Sequence, residues 1–393
     1  MTRNAAATSE GTWIVVPPDS DFSLANLPFG VVQPKHGPPR VATRIGDTVL
    51  DLLAAGIDHR LTDAATLNAL MASGRGPAIR KAARAIALGP PRPDLVYAVD
   101  DVDVLQPVAI GDYVDFYSSL DHATNLGRRF RPDGEPLLPN WRHLPVGYHG
   151  RAGTIVASGT PIVRPAGLIP DLAGVPRLTP STQLDFELEV GFLVGGNGTR
   201  IAPDRADAYV FGAVLCNDWS ARDIQSFEYQ PLGPNLGKSF ATTISPWVVP
   251  IEALKPFLVA APRQDPVPDP YLQTKRPWGI DLHLEASVNG VTATATNFAR
   301  MYWTFAQQLA HMTVNGATAR TGDFYASGTV SGPTPFERGS LIEQIADGNR
   351  ADFLADGDTV TLRGWCGGDD ARSRVGFGDA TGTIYPGEQR GED

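Results

Sequence analysis

The clearest pattern of hydrophobic and polar positions in the chain runs from Leu184 to Val194. Apolar residues occupy every second position, and Asp185, Glu187 and Glu189 fall between them. Such alternation predicts a β-strand, in which residues two apart lie on the same face. The side chains of Glu187 and Glu189 are therefore expected to lie next to each other.

Turn residues divide other parts of the chain into short predicted strands. A Gly46–Asp47 turn separates residues 41–45 from residues 48–52, and Asn289–Gly290 interrupts the alternating segment 281–295. An Asn-Gly pair between alternating apolar residues is a strong signal for a two-residue hairpin. Both segments are therefore predicted to fold back on themselves.

Helical spacing of apolar residues occurs in three places. Thr62 is a candidate cap for a helix over residues 64–72, and residues 77–88 repeat the pattern. Asn297 is likewise a candidate cap for a helix whose apolar side covers residues 298–312. These helices are short relative to the whole chain.

Composition favours strands and loops over a helical bundle. Gly (41 residues) and Pro (34 residues) together make up about 19% of the 393 residues. The two reach roughly 12% in average proteins. Both residues interrupt helices, so a mainly β fold with some α is predicted. The Gly- and Pro-rich segment 89–93 marks a boundary. We expect a disordered tail over residues 1–12, an N-terminal domain over 13–105 and a larger domain over 106–393.

Charge and cysteine content narrow the class of protein. The formal net charge is -10 and no basic stripe occurs, which disfavours a nucleic-acid partner. No run of about 18 apolar residues and no signal-peptide core occur, so neither a membrane span nor secretion is expected. Cys216 and Cys366 are too few for a disulfide framework. The cytoplasm is the expected location.

The paired glutamates are the strongest chemical signal. Asp115 lies in a short apolar segment, and Asp218 follows the apolar run 209–216. On a solvent-exposed face the glutamates would be ordinary surface residues. On a buried face, like charges this close require a cation, and a hard divalent ion suits carboxylate oxygens. Arg222 and Lys238 are the candidates to balance the remaining negative charge.

His122 is a candidate general base. It follows Asp115 by seven residues in a polar segment, and histidine is the side chain best suited to accept a proton near neutral pH. A lone histidine is usually structural. A position beside a metal-binding carboxylate favours the catalytic interpretation.

Several motifs resemble the fumarylacetoacetase family, whose hydrolases complete the degradation of tyrosine and phenylalanine. The similar segments extend over nearly the whole chain, so chance agreement is implausible. The most specific are Asp115–Ser119, residues 139–150, Asn217–Gln225, Pro231–Pro234, Met301–Trp303, Gln307–Leu309 and Gly328–Pro333.

The resemblance implies a fold, an assembly and a metal. The fold would be an N-terminal SH3-like β-barrel followed by a mixed β-sandwich roll, and the assembly a homodimer. The cofactor would be Ca²⁺ or Mg²⁺ without any organic group, although Mn²⁺ suits the same oxygen ligands. The implied ligands are Asp115, Glu187, Glu189 and Asp218. A second, structural Mg²⁺ is implied at Asp218, Lys238 and Thr242, where lysine would offer its backbone carbonyl.

The resemblance also implies the reaction and its residues. The substrate would be the 1,3-diketo acid 4-fumarylacetoacetate, cleaved at a carbon–carbon bond to fumarate and acetoacetate. His122 would be the base, oriented by Glu343. The implied oxyanion-stabilising residues are Arg222, Gln225 and Lys238. The implied substrate-binding residues are Tyr117, Arg131, Tyr148, Gln225, Tyr229 and Thr329.

Two other functions stay open at this point. The same fold and metal could serve another acylpyruvate or oxo-acid hydrolase, or a decarboxylase or isomerase of the same superfamily. A non-catalytic metal- or carboxylate-binding protein would be expected to lose chemical residues, and none of the implied ones is missing. Two departures from the family pattern occur, at Ala241, where glycine is usual, and in a longer segment over 366–374.

Overall fold

Strands dominate the protein, and short helices lie between them. The computed structural model describes residues 11–368 and 373–387. The predicted mainly β fold with some α is confirmed. Within the described ranges, every helix is too short or too polar to cross a membrane.

The N-terminal part forms a half-barrel from five antiparallel strands. In spatial order these strands are Val96–Ala98, Thr48–Asp51, Arg40–Ile45, Phe29–Pro34 and Val102–Leu105. The predicted Gly46–Asp47 turn joins the second and third of them, and Gly46 has a φ of 58°, which glycine adopts without strain. The sequence pattern is therefore sufficient to place this hairpin.

The larger part contains an eight-stranded sheet whose strands include Asp115, Glu189 and Asp218. In spatial order the strands are Gly147–His149, Tyr113–Phe116, Phe324–Ala326, Leu188–Val194, Val210–Asp218, Thr242–Ile244 and Ile155–Ala157, and Val249–Pro250 also pairs with Val210–Asp218. Leu188–Val194 and Val210–Asp218 are buried along their whole length. Both faces of this sheet are therefore covered.

A six-stranded sheet packs against the first. Its strands are Val291–Asn297, His283–Val288, Thr359–Cys366, Ala380–Tyr385 and Ile162–Val163, with Val375–Gly376 paired to Thr359–Cys366. The predicted hairpin at Asn289–Gly290 is confirmed, with φ of 53° and 78° at its two residues. Positive φ at both positions is the geometry that an Asn-Gly turn favours.

Smaller elements complete the architecture. The two-stranded pairs are Ala166–Pro170 with Pro176–Pro180, Leu184–Asp185 with Ser220–Ala221, Gly198–Thr199 with Thr318–Ala319, and Leu258–Val259 with Gly279–Ile280. The α-helices are His59–Thr62, Asn68–Ser73, Gly76–Leu88, Leu120–Phe130, Arg222–Glu228, Ile251–Leu254, Phe305–Thr313 and Leu341–Ala346. The 3₁₀ turns are Pro93–Leu95, Val99–Asp101, Ala152–Thr154, Pro203–Ala208, Asn235–Gly237, Lys255–Phe257, Pro270–Leu272, Phe298–Arg300 and Pro335–Glu337.

Successive side chains of the central strands point to opposite faces of the sheet and belong to different hydrophobic clusters. Leu215 belongs to a cluster shared with the six-stranded sheet, whereas Val214 belongs to one shared with Phe29 of the half-barrel. Phe29 also exchanges two backbone hydrogen bonds with Val248, of 2.9 and 2.7 Å. The half-barrel and the six-stranded sheet thus exclude water from opposite faces of the eight-stranded sheet.

Two predicted helix starts are wrong. Thr62 is the last residue of a short helix rather than a cap, and the next helix begins only at Asn68. Asn297 caps a single 3₁₀ turn, and the α-helix begins at Phe305, where Thr304 and Gln307 form a capping box. Apolar spacing does not show which of two capping residues begins the continuous helix. By contrast, the helix predicted over residues 77–88 is confirmed as Gly76–Leu88.

Two further predictions fall largely outside the described residues. Residues 1–10 of the predicted tail are not described, although Thr12 is 3% exposed and its hydroxyl donates to the carbonyl of Ala87 at 2.8 Å. Residues 369–372 of the longer segment are also not described. Ala241 is absent from the residues with positive φ, so alanine is compatible with the backbone there.

Gly191 provides a test of how tightly the central sheet is packed. A Cβ atom at this position would overlap the ring of Phe324, which is 0% exposed. We expect Gly191→Ala to lower the free energy of unfolding by about 1–3 kcal/mol, because overpacking forces buried groups to shift. Denaturant unfolding followed by fluorescence measures the difference.

Gly153→Ala is the matched control, since no atom lies within 4 Å of a Cβ built there. Its stability should stay close to that of the unchanged protein. Equal stability of the two variants would contradict the close packing between Gly191 and Phe324.

Candidate metal centre and active site

The acidic face of the predicted strand is buried. Glu187 is 5% exposed and Glu189 is 0% exposed. The predicted strand is interrupted, because regular pairing covers Leu184–Asp185 and Leu188–Val194 and leaves Glu187 between them. Because both side chains are buried, the alternative in which the two glutamates lie on a solvent-exposed face is wrong.

Four carboxylates from separate elements meet in this buried region. Asp115, Glu187, Glu189 and Asp218 each offer one oxygen, and the four oxygens lie within 4.8 Å of one another. Asp115 and Glu189 come from strands that flank Phe324–Ala326, and Asp218 ends the neighbouring strand. Sheet order thus brings together residues that are far apart in sequence.

Two cations neutralise one side of this carboxylate cluster. The Lys238 Nζ donates to Glu187 Oε2 and to Asp218 Oδ2, both at 2.6 Å. Arg222 Nη2 lies 2.8 Å from Glu187 Oε1. Burial favours the neutral acid, but Lys238 and Arg222 together hold the pKa of Glu187 below its usual range.

The other side of the cluster is electrostatically unsatisfied. Burial raises the pKa of Asp115 well above its usual range, with a further increase from Asp218. Burial likewise raises the pKa of Glu189, and the nearby carboxylates add to the effect. Asp115 Oδ1 and Glu189 Oε1 are buried without a hydrogen-bond partner. A bound cation would compensate both oxygens, so the residues present fit a divalent ion.

The donors around the cluster support the same interpretation. All four candidate ligands are carboxylates, and such hard oxygen donors suit Mg²⁺, Ca²⁺ or Mn²⁺. Tyr148 donates its hydroxyl to Asp218 Oδ2 at 3.3 Å, and Thr242 Oγ1 lies 3.3 Å from Asp218 Oδ1. The Lys238 ammonium is held by two carboxylates, which leaves only its backbone carbonyl as a metal ligand.

His122 forms a buried pair with Glu343. It lies in the first turn of Leu120–Phe130, and its Nδ1 is 2.7 Å from Glu343 Oε2. Burial would raise the pKa of Glu343, but the His122 charge and hydrogen bond, with those of Asn125 and Ser331, lower it to about 2. An ionised Glu343 requires a proton on Nδ1. In the neutral imidazole, Nε2 is then the free acceptor.

The structure places Gln225 and Tyr117 next to this machinery. Gln225 Oε1 accepts a hydrogen bond from Arg222 Nη1 at 3.0 Å. The ring of Tyr117 meets the His122 ring edge-on, with 5.4 Å between centroids. Both residues thus contact groups whose chemical roles were predicted.

Other predicted substrate-binding residues have more varied surroundings. The Arg131 guanidinium donates to the carbonyl oxygens of Glu135 and Pro136, with 3.3 Å for the first. Tyr229 is partly exposed, and its ring lies 6.1 Å from that of Phe130. Thr329 is 1% exposed, and its hydroxyl has no hydrogen-bond partner.

A cavity of about 560 Å³ opens beside the carboxylate cluster. Tyr148, Asp218, Lys238 and Thr242 contribute to its wall. Most of this lining is polar, which suits a small charged molecule more than an apolar one.

Comparison with known proteins identifies the family. The family model for fumarylacetoacetate hydrolase C-terminal matches residues 113–384, and that for fumarylacetoacetase N-terminal matches residues 25–87. The chain belongs to the fumarylacetoacetase family. It is 46% identical to the fumarylacetoacetase of Rattus norvegicus, covering 95% of this chain and 99% of the relative. The Homo sapiens and Arabidopsis thaliana fumarylacetoacetases are each 44% identical, over 95% of this chain and 99% and 98% of theirs.

Solved structures share the fold at lower sequence identity. The fumarylacetoacetate hydrolase from psychrophilic Exiguobacterium antarcticum matches with a TM-score of 0.57 and 19% identity, covering 92% of this chain and 99% of that one. The maleylpyruvate hydrolase from Sphingobium.sp SYK-6 matches with a TM-score of 0.55 and 15% identity over the same shares. Together with the relatives, these matches make the chain a hydrolase with the fold of the fumarylacetoacetase family.

Four polar residues in the site of this hydrolase were not predicted from the sequence. Asn125, Ser331 and Ser340 each donate a hydrogen bond to Glu343, at 2.8, 2.8 and 2.9 Å. Asp185 binds Arg222 and is 0% exposed. Asn125 could have been found, because it is three residues after His122 and shares its helix face. Ser331 and Ser340 lie too far along the chain for spacing to connect them with His122.

Divalent ions should stabilise the protein more at higher pH. Asp115 and Glu189 have raised pKa values, so their contribution to folding stability is present at low pH and is lost as pH rises through those values. A bound cation removes this penalty. The gain in Tm from Mg²⁺ or Ca²⁺ over chelator should therefore increase as the pH rises above the usual titration range of carboxyl groups.

The double variant Asp115→Asn with Glu189→Gln is the control for this measurement. It removes both titrating groups, and its gain in Tm should be small at every pH. A gain that is independent of pH in the unchanged protein would argue against the raised carboxyl pKa values.

Proposed function

We propose that this chain hydrolyses 4-fumarylacetoacetate to fumarate and acetoacetate, with a divalent ion in the carboxylate cluster. The observation that carries the proposal is the buried His122–Glu343 pair, at 2.7 Å, with the His122 ring packed against Tyr117, two residues after Asp115 of the cluster. A base beside a metal site suits the activation of water. The fumarylacetoacetases of many eukaryotes match the chain over nearly its full length, which supports the choice of substrate.

His122 serves as the general base in the proposed reaction. Glu343 holds the Nδ1 proton, so Nε2 accepts a proton from water as the oxygen attacks the substrate carbonyl. The ionised Glu343 then stabilises the imidazolium that forms. The same proton is available to the carbon that leaves as acetoacetate, which restores the neutral base.

Positive groups stabilise the charge that develops on the attacked carbonyl. Arg222 and Lys238 are fixed by carboxylates before substrate arrives, and Gln225 is aligned by Arg222. Preorganised donors of this kind contribute about 10²–10³-fold each to acyl-transfer rates. The divalent ion, when bound to Asp115, Glu187, Glu189 and Asp218, supplies Lewis-acid polarisation of the substrate oxygens.

Substrate binding is assigned to residues at the edge of this machinery. Arg131 offers a fork for one substrate carboxylate, with loop carbonyls supporting its guanidinium. Neutral hydroxyl donors come from Tyr117, Tyr148, Tyr229 and Thr329. The unpartnered hydroxyl of buried Thr329 supports its inclusion in this set.

The proposal also covers the metal ions, the assembly, the location and the domain division of the enzyme. We propose Ca²⁺ or Mg²⁺ as the native ion and a structural Mg²⁺ near Asp218, Lys238 and Thr242. We further propose a homodimer in the cytoplasm, acting at the end of tyrosine and phenylalanine catabolism. The domain division at about residue 105 is retained, with the half-barrel as a separate N-terminal unit.

An absorbance assay with fumarylacetoacetate tests the reaction and its metal dependence. The diketone signal should disappear with enzyme and persist after chelation, because the ion is needed to polarise the substrate. Readdition of Mg²⁺ or Ca²⁺ should restore the rate. Persistence of the diketone with the metal-loaded enzyme would refute the proposed function.

His122→Ala tests the assignment of the base. Turnover should fall by about 10²–10⁴-fold, the usual contribution of a positioned base. Calorimetric Mg²⁺ affinity should change little, since His122 is not one of the four candidate ligands. His311→Ala is a control, as this histidine pairs with Tyr271 at 3.0 Å outside the site. Turnover near that of the control would mean that another group is the base.

A further inference from the structure

Asp185 is a buried carboxylate that receives hydrogen bonds from two directions. Its Oδ1 accepts from the backbone N–H groups of Phe186 and Leu341, both at 2.7 Å. Its Oδ2 accepts from the Ile342 N–H at 3.0 Å and from Arg222 Nε at 2.8 Å, and Arg222 Nη2 lies 2.8 Å away. The side chain is fully shielded from water. A carboxylate with this many donors is held in one orientation.

The first direction leads to the predicted oxyanion donor. Arg222 presents two of its nitrogens to Asp185 Oδ2, and Nη2 also reaches Glu187 at 2.8 Å. Its Nη1 remains to align Gln225. Asp185 therefore fixes the plane of the guanidinium, whereas Glu187 alone would leave it free to pivot.

The second direction leads to the helix that carries Glu343. Leu341–Ala346 begins after Ser340, whose side chain does not cap the helix. Asp185 takes over this task by accepting from the first two N–H groups of the helix. The Ser340 hydroxyl is consequently available to donate to Glu343 Oε2 at 2.9 Å.

We propose that Asp185 is a positioning residue that fixes the oxyanion-stabilising Arg222 and the base-orienting Glu343 relative to each other. It does so through one carboxylate that joins the Arg222 guanidinium to the first turn of the Glu343 helix. This inference rests on the proposed function, since it assigns Asp185 to the same reaction.

Asp185→Asn tests the proposal with little change in shape. Asparagine has one acceptor oxygen, and its amide group would face donors of Arg222 or of the helix. We expect kcat to fall about 10²–10³-fold, as for loss of an oxyanion donor, with a much smaller change in KM. Calorimetric Mg²⁺ affinity should be retained, because Asp185 is outside the carboxylate cluster.

Asp51→Asn is the matched control. Asp51 is equally buried and pairs with Arg40 at 3.0 Å, but it lies in the N-terminal half-barrel. Its replacement should lower Tm without lowering kcat. Unchanged kcat in folded Asp185→Asn, or equal losses of kcat in both variants, would overturn the proposal.

A double-mutant cycle separates positioning from general destabilisation. In an Arg222→Gln background, Asp185→Asn should reduce kcat by a smaller factor than in the unchanged protein, because part of its effect passes through Arg222. If Asp185→Asn reduces kcat by the same factor in both backgrounds, Asp185 acts independently of Arg222, which would contradict the inference.

Arg222→Lys covers the case in which Asp185→Asn does not fold. Lysine keeps the charge beside Glu187 but cannot present two nitrogens to Asp185. A loss of kcat as large as that of Arg222→Gln supports the positioning role, and activity near that of the unchanged enzyme overturns it.

A readout that is independent of turnover distinguishes failure of this inference from failure of the proposed function. The imidazole N–H resonance of His122, observed with ¹⁵N-labelled histidine, reports the hydrogen bond to Glu343. It should shift in Asp185→Asn, or in Arg222→Lys where the former does not fold, and stay in place in Asp51→Asn. If the unchanged enzyme leaves fumarylacetoacetate intact, the proposed function fails, while this resonance still decides the positioning role.

Discussion

The mutual repulsion of four buried carboxylates is the constraint on which the rest of the site depends. Asp115, Glu187, Glu189 and Asp218 are within reach of a single ion and are almost completely shielded from water. Like charges in such surroundings are tolerated only with compensating cations. Lys238 supplies one beside Glu187 and Asp218, and the unsatisfied oxygens of Asp115 and Glu189 require another. The two-sided cover of the eight-stranded sheet keeps these charges away from water and thereby creates the need for a metal.

Local features of the site could be predicted from the sequence, whereas their assembly could not. Strand alternation is enough to place Glu187 and Glu189 on one face, because side chains two residues apart in a strand point to the same side. The approach of Asp115 depends on Phe324–Ala326 pairing between its strand and that of Glu189. Such a crossover leaves no signal in either segment. The resemblance to a known family supplied this long-range information, including the pairing of His122 with Glu343.

The wrongly predicted helix start at Asn297 and the unpredicted role of Asp185 have the same physical origin. Asn297 and Thr304 are both good capping residues, and only Thr304 is followed three residues later by a glutamine that completes a capping box. Asp185 reads as one more polar position of an alternating strand. Its role appears only when the chain brings Arg222 and the start of Leu341–Ala346 to it. Residues that join elements are therefore harder to find than residues that define them.

The arrangement of charges explains why the base and the metal ligands need separate carboxylates. Glu343 is surrounded by hydrogen-bond donors, and they lower its pKa to about 2. The ionised carboxylate keeps the proton of His122 on Nδ1. The cluster has the opposite property, since Asp115 and Glu189 resist ionisation until a cation is present. A shared carboxylate could not meet both requirements, because charge donated to a metal is withdrawn from the imidazole. Asp185 lies between these two sets of carboxylates, since it binds Arg222, which contacts Glu187, and it accepts hydrogen bonds from the first turn of the helix that carries Glu343.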